Sequence, residues 1–140
     1  MTVHSGFEIP RFVALLGHFA LLLILLWDVE AVARSSVSWS KRDDHHLLEL
    51  AQNSITGALA MALTLVTVEL TCFMIGASLF FPRQSLFSAA IHTFSFLCLG
   101  HFMADSFHLT YYWVLLVITA VPCLIEIAIL FEALVLDKPL

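Results

Sequence analysis

Residues 55–81 read ITGALAMALTLVTVELTCFMIGASLFF and hold a single formal charge, Glu69, near the middle. A stretch this long and apolar crosses a bilayer as one helix, which takes about 20 residues. A carboxylate at the bilayer centre costs about 2.5–3.5 kcal/mol on insertion scales. A helix carrying Glu69 there has to hide it among other helices or protonate it. The chain must therefore supply further spans.

It supplies three. Spans are expected over about 11–27, 55–81, 85–103 and 110–136 of one transmembrane domain, 1–140, with a charged extramembrane loop at about 28–54. Charged residues make up only 12% of the chain, too few to coat a soluble domain whose composition is 61% hydrophobic. The fold class is all-α: an integral membrane four-helix bundle with both termini on the same side. A cleaved signal peptide is a rival reading of the first run, because Ala31-Val32-Ala33 resembles a cleavage site. The length of that run and the intervening Asp28-Val29-Glu30 speak against it.

The connections have their own signals. Asp43 or Asp44 suits a helix N-cap, so the second helix is expected to begin near there and project beyond the bilayer. Residues 82–84 read as a tight connection that returns the third run antiparallel beside the second. Pro10 suits a first helical turn, and Arg11 is expected to snorkel to the membrane surface. Trp27, Tyr111, Tyr112 and Trp113 read as interfacial aromatics. Pro122 is expected to kink the fourth helix and free a carbonyl near Ile118. Arg11, Arg83 and Lys138 on one side balance Arg34, Lys41 and Arg42 on the other, so the positive-inside count leaves orientation open. No internal repeat is visible. With a net charge of −5 and no basic cluster, a nucleic-acid partner is not expected; the lipid bilayer is.

Each span carries one ionisable residue near its midpoint: His18, Glu69, His92 and Glu126. Ala58, Ala62, Leu65, Cys72 and Gly76 share a helical face with Glu69. Ser85, Ser88 and Ser95 share one with His92, and Thr119, Pro122 and Cys123 one with Glu126. Small and hydroxyl residues let helices approach closely in lipid, so these faces should point inward around a polar layer. The plainest reading of that layer is a hydrogen-bonded network that fixes helix register. A proton or ion relay would use the same four residues as stations. The metal signal is weak, because no span shows Glu-x-x-His or His-x-x-x-His spacing. Acid–base catalysis by a His–Glu pair lacks any accompanying motif, so no catalytic residue, cofactor or metal ligand is assigned. Cys72, Cys98 and Cys123 all lie in apolar runs and read as free thiols. His45-His46 read as a solvated face, because adjacent helical residues diverge by about 100°. His101 lies off the face of His92. The stripe Thr56, Ala60, Thr64, Thr67, Thr71 reads as a second packing face.

Several short motifs occur together in order and spacing. They are Arg11-Phe12 with His18, Val68-Glu69-Leu70, Gly76-Ala77-Ser78, Gln84-Ser85-Leu86 with His92, Tyr112-Trp113, and Pro122 with Glu126. In these the chain resembles the transmembrane protein 107 family, four-span proteins of the ciliary transition zone, from about Arg11 to Pro139. Loop 28–53 and segment 104–110 depart from it, as does a tail with one Lys. The resemblance implies a non-enzymatic role in the membrane at the cilium base, in the Meckel-syndrome module and the gate that controls ciliary membrane composition. It further implies effects on ciliogenesis and Hedgehog signalling, cytoplasmic termini, and partners among tectonic, B9-domain and other small tetraspan proteins. It implies no cofactor. The alternative is a small proton-coupled transporter or channel subunit using Glu69 and Glu126.

Overall fold

The computed structural model describes residues 6, 8–76, 81–105 and 107–135. Expectations that fall on 77–80 and on the tail 136–140, including the ends of the second and fourth runs, lie outside these. Five α-helices and a short 3-10 turn follow one another: α1 (Glu8–Trp27), α2 (Val29–Ser36), the turn Trp39–Lys41, α3 (His45–Ile75), α4 (Pro82–Ala104) and α5 (Thr110–Val135). No strand occurs among the described residues. The four long helices are apolar enough to cross a membrane, as a four-helix membrane bundle requires.

The stretch 28–54, expected as loop, is mostly helical. The short α2 folds back onto α3, burying Ala33, and the turn Trp39–Lys41 leads to Asp44. Asp44 caps α3, its Oδ1 accepting from the backbone N–H groups of His46 and Leu47 at 3.1 and 3.3 Å. At about 1.5 Å per residue the 31 residues of α3 extend well past a hydrocarbon core of about 30 Å. Its first turns stand beyond the bilayer beside α2. At the far end Gly76 adopts φ 87°, a left-handed C-cap that suits glycine, with its N–H on the Cys72 and Phe73 carbonyls.

Residues 82–84 are not a connection. Pro82 opens α4 at its first turn, where its missing N–H costs nothing, and Gln84 is already buried. Nor does α4 lie beside α3. The extensive interfaces are α1 with α4, α3 with α5, α1 with α3, and α4 with α5, so α3 and α4 occupy opposite corners. Contacts fix the directions. Arg11 meets Glu69, Ser88 and Glu126 at one end, while Ser54 meets Trp113 and Phe102 meets Tyr112 at the other. Hence α1 runs parallel to α4 and α3 parallel to α5. The start of α1 and the end of α5 share one end of the bundle.

This arrangement contains a repeat that residue identities conceal. Buried positions of α3 and α5 match in register: Ile55 with Tyr112, Ala58 with Leu115, Leu59 with Leu116, Ala62 with Thr119, Val66 with Cys123, Glu69 with Glu126. Those of α1 and α4 match likewise: Arg11 with Ser85, Leu15 with Ala89, His18 with His92, Leu25 with Leu99. The hairpins α1–α3 and α4–α5 thus share one register of buried positions, α1 with its neighbour α4 and α3 with its neighbour α5.

Among the expected interfacial aromatics, Trp27, Tyr111 and Trp113 are exposed. Tyr112, between two of them in sequence, turns inward, 3% exposed, with its ring 5.2 Å from that of Phe102. Adjacent helical residues diverge by about 100°, so three consecutive aromatics cannot share one face. The threonine stripe faces outward from α3. Thr56, Thr64, Thr67 and Thr71 each donate to the carbonyl four residues earlier, which leaves that surface without free donors.

Candidate functional site

The polar centre of the bundle is built on Arg11, which sequence reasoning had sent to the membrane surface. Its side chain is 0% exposed. Nη2 lies 3.0 Å from Oε1 of Glu69 on α3 and 3.0 Å from Oε1 of Glu126 on α5. Nε donates to Ser88 Oγ on α4 at 3.0 Å. One guanidinium thereby contacts the other three long helices. The planar fork of an arginine suits this better than a lysine ammonium would. A helix near the start of a span, facing inward rather than outward, is what converts a snorkelling position into a buried one.

Glu69 is the second hub. Its Oε1 accepts from Arg11 and also from Ser88 Oγ at 2.5 Å, while its Oε2 meets His92 Nε2 at 2.8 Å. His92 in turn faces His18, Nδ1 to Nδ1 at 2.8 Å. A carboxylate only accepts, so His92 Nε2 carries the hydrogen toward Glu69, and a single proton lies between the two Nδ1 atoms. Two carboxylates and one guanidinium leave one negative charge.

All four layer residues sit in the interior: His18 at 1% exposure, and Glu69, His92 and Glu126 at 0%. They do not form a flat layer. The seven residues from Arg11 to His18 span about 10 Å of helix, so the cluster climbs from the middle of the bundle toward the end that holds the termini. The neighbours tie α4 to α5. Gln84 Nε2 donates to the Pro122 carbonyl at 3.2 Å, and Ser95 Oγ lies 3.4 Å from Thr119 Oγ1. Helix α5 continues through Pro122, and the carbonyl engaged from α4 is that of Pro122 itself. A signal for Arg11 and Gln84 was present in the sequence: both share a helical face with a layer histidine, at spacings of seven and eight residues.

Other candidates stay apart. His45 and His46 are exposed on the first turn of α3, and His101 is exposed with its ring 5.0 Å from Phe107. Cys72 and Cys123 are buried thiols and Cys98 is half-buried, with no disulfide among the described residues. Among these residues no three His, Cys, Asp or Glu side chains group as a metal site. The transporter alternative finds no support: both carboxylates it would use converge on one guanidinium.

Comparison with known proteins accords with this architecture. The family model TMEM107, described as a transmembrane protein, matches residues 9–130, which includes every member of the cluster. Transmembrane protein 107 of Rattus norvegicus and that of Mus musculus are each 30% identical over 135 residues, covering 96% of this chain and 95% of the relative. The Homo sapiens protein is 28% identical over the same shares. No solved structure matches. The chain is a multi-pass membrane protein that belongs to the transmembrane protein 107 family.

Proposed function

We propose that this protein is a non-enzymatic tetraspan component of the ciliary transition zone. In this reading it helps assemble the Meckel-syndrome module and the gate that sets ciliary membrane composition, with consequences for ciliogenesis and Hedgehog signalling. Its partners are tectonic, B9-domain and other small tetraspan proteins. The observation that carries the reading is family membership over residues 9–130. The buried cluster supports a structural role for the polar residues: Arg11 and His92 both bind Glu69 across the bundle, where removing one member of a buried ion pair costs about 3–5 kcal/mol. A bundle so locked is a rigid block with outward faces for lipid and partner helices, as a membrane scaffold needs.

Localisation tests this. The full chain carrying a C-terminal tag is imaged at high resolution in ciliated cells beside a basal-body marker. A ring just distal to the basal body is the expected result. Uniform plasma-membrane or organelle signal overturns the assignment.

A further inference from the structure

Helix α2 packs against α3 and leaves a gap on its other flank, between itself and the last turn of α4. The gap is a cavity of about 210 Å3 lined by Ile24, Leu25, Asp28, Ser35, Phe102 and Met103, among others. A second hollow of about 320 Å3, lined by Leu23, Ile24, Trp27 and Asp28, shares Ile24 and Asp28 with it. Together they form one notch at the end of α1. Its lower wall is aliphatic and runs down the lipid-facing side of the helix. Its upper end carries oxygen.

Asp28 stands where the two hollows meet. Its carboxylate caps nothing in α2 and has no hydrogen bond or ion pair among the described residues. Ser35 Oγ gives its proton to the Val32 carbonyl at 2.8 Å, so toward the cavity it can only accept. The polar end of the notch thus holds acceptors and a negative charge, with Phe102 opposite. The level is that of lipid headgroups: Asp28 follows the last residue of an apolar span, at the end of the bundle where Trp27, Tyr111 and Trp113 are exposed.

We infer that the notch formed by Asp28, Ser35 and Phe102 between α2 and α4 binds a phospholipid with a primary ammonium headgroup, the phosphatidylethanolamine type. The –NH3+ group donates to the Asp28 carboxylate and to Ser35 Oγ, and one acyl chain lies along Leu23 and Ile24. Charge complementarity selects this occupant. An anionic headgroup meets an uncompensated carboxylate, and a choline headgroup has no N–H to give the two acceptors. The inference does not depend on where in the cell the protein resides.

The test is lipid retention. The full chain is reconstituted in vesicles of equal parts phosphatidylethanolamine, phosphatidylcholine and phosphatidylglycerol, re-extracted in mild detergent, and its bound lipid measured by native mass spectrometry. Wild type should retain phosphatidylethanolamine over each of the others by about fivefold, equivalent to roughly 1 kcal/mol of preference. Asp28→Asn should abolish the preference. Ala31 also lines the cavity, and Ala31→Phe, which fills it and leaves the carboxylate, should lower bound lipid of every kind. Glu30→Gln changes a neighbouring exposed carboxylate that already pairs with Arg34, and should behave as wild type. Each variant must elute as a monodisperse species with the wild-type thermal midpoint. Equal retention of the three lipids by wild type overturns the inference, as does a preference that survives both Asp28→Asn and Ala31→Phe.

Discussion

Arg11 and Glu69 lie 58 residues apart in the chain and 3.0 Å apart in the bundle, both fully buried, and the same Arg11 nitrogen reaches Glu126. The pairing makes α1 an electrostatic requirement of α3 and α5. Arg11→Met should therefore strand two carboxylates and cost about 3–5 kcal/mol. The folded fraction after heating in detergent, read by size-exclusion chromatography, should fall sharply. Adding Glu69→Gln and Glu126→Gln to Arg11→Met should recover much of the loss, because removing every charge is far cheaper than removing one sign of it.

The two carboxylates are partly redundant. With Glu69→Gln alone, Arg11 still has Glu126, and the amide oxygen can still accept from Ser88. Glu69→Gln should be mild and Glu69→Leu clearly worse, by about 1–3 kcal/mol for the unsatisfied donors it leaves. Combining Glu69→Gln with Glu126→Gln isolates the guanidinium. The double variant should lose more than the two singles together, with a coupling of about 1–3 kcal/mol in thermal unfolding. Strict additivity would mean that the carboxylates do not share Arg11.

Much of this centre was legible as chemistry but not as geometry. Glu69 and Glu126 stand out because carboxylates are rare in apolar runs, and His18 and His92 fall at matching depths. Arg11 departs from the expected snorkelling position because its helical face, not its place at the start of the apolar run, decides where the side chain points. It sits one face-turn pattern below His18, and that register places it inside. Helix order was hidden for a different reason. Short connections predict sequential neighbours, yet α3 and α4 sit diagonally and meet at the bundle centre through Glu69, Ser88 and His92. The repeat between the halves was invisible because it is a repeat of burial, with only His18/His92, Glu69/Glu126 and Leu25/Leu99 identical.

Gln84 ties the first turn of α4 to α5 through the Pro122 carbonyl. Pro122 lacks the N–H that would serve the Ile118 carbonyl, and the bond from Gln84 to the carbonyl of Pro122 itself links the two helices where α5 has lost one ladder bond. Gln84→Leu removes that donor and should cost about 1–3 kcal/mol. Hydrogen exchange should rise in α5 around Pro122 and remain unchanged at the opposite end, near Tyr112.

The capped start of α3 offers a local test. Asp44→Ala removes the acceptor for two helix N–H groups and should cost about 1 kcal/mol. Because this turn stands outside the bundle, the loss should show as faster hydrogen exchange at residues 45–48 and little change in the thermal midpoint of the spans.

The shared register of α1 and α4 makes the sharpest prediction. The position equivalent to Arg11 in the second hairpin is Ser85, which is 1% exposed and whose hydroxyl finds no hydrogen-bond partner among the described residues. Arg11 on α1 reaches Glu69 in its own hairpin and Glu126 in the other. Ser88, one turn further along α4, already touches Arg11 and Glu69, so an arginine at 85 would come within reach of the same two carboxylates. Arg11→Ser should destabilise as Arg11→Met does, since both strand the carboxylates. Adding Ser85→Arg to Arg11→Ser should restore at least half of the lost thermal stability, by returning a guanidinium to the same pair of carboxylates from the neighbouring helix α4. Ser85→Arg in the wild-type background should instead destabilise, because two guanidinium groups would then crowd one buried site. The sign of the Ser85→Arg effect thus reverses with the residue at position 11. If it is equally damaging in both backgrounds, the hairpins match in packing only, and position 85 does not face the carboxylates.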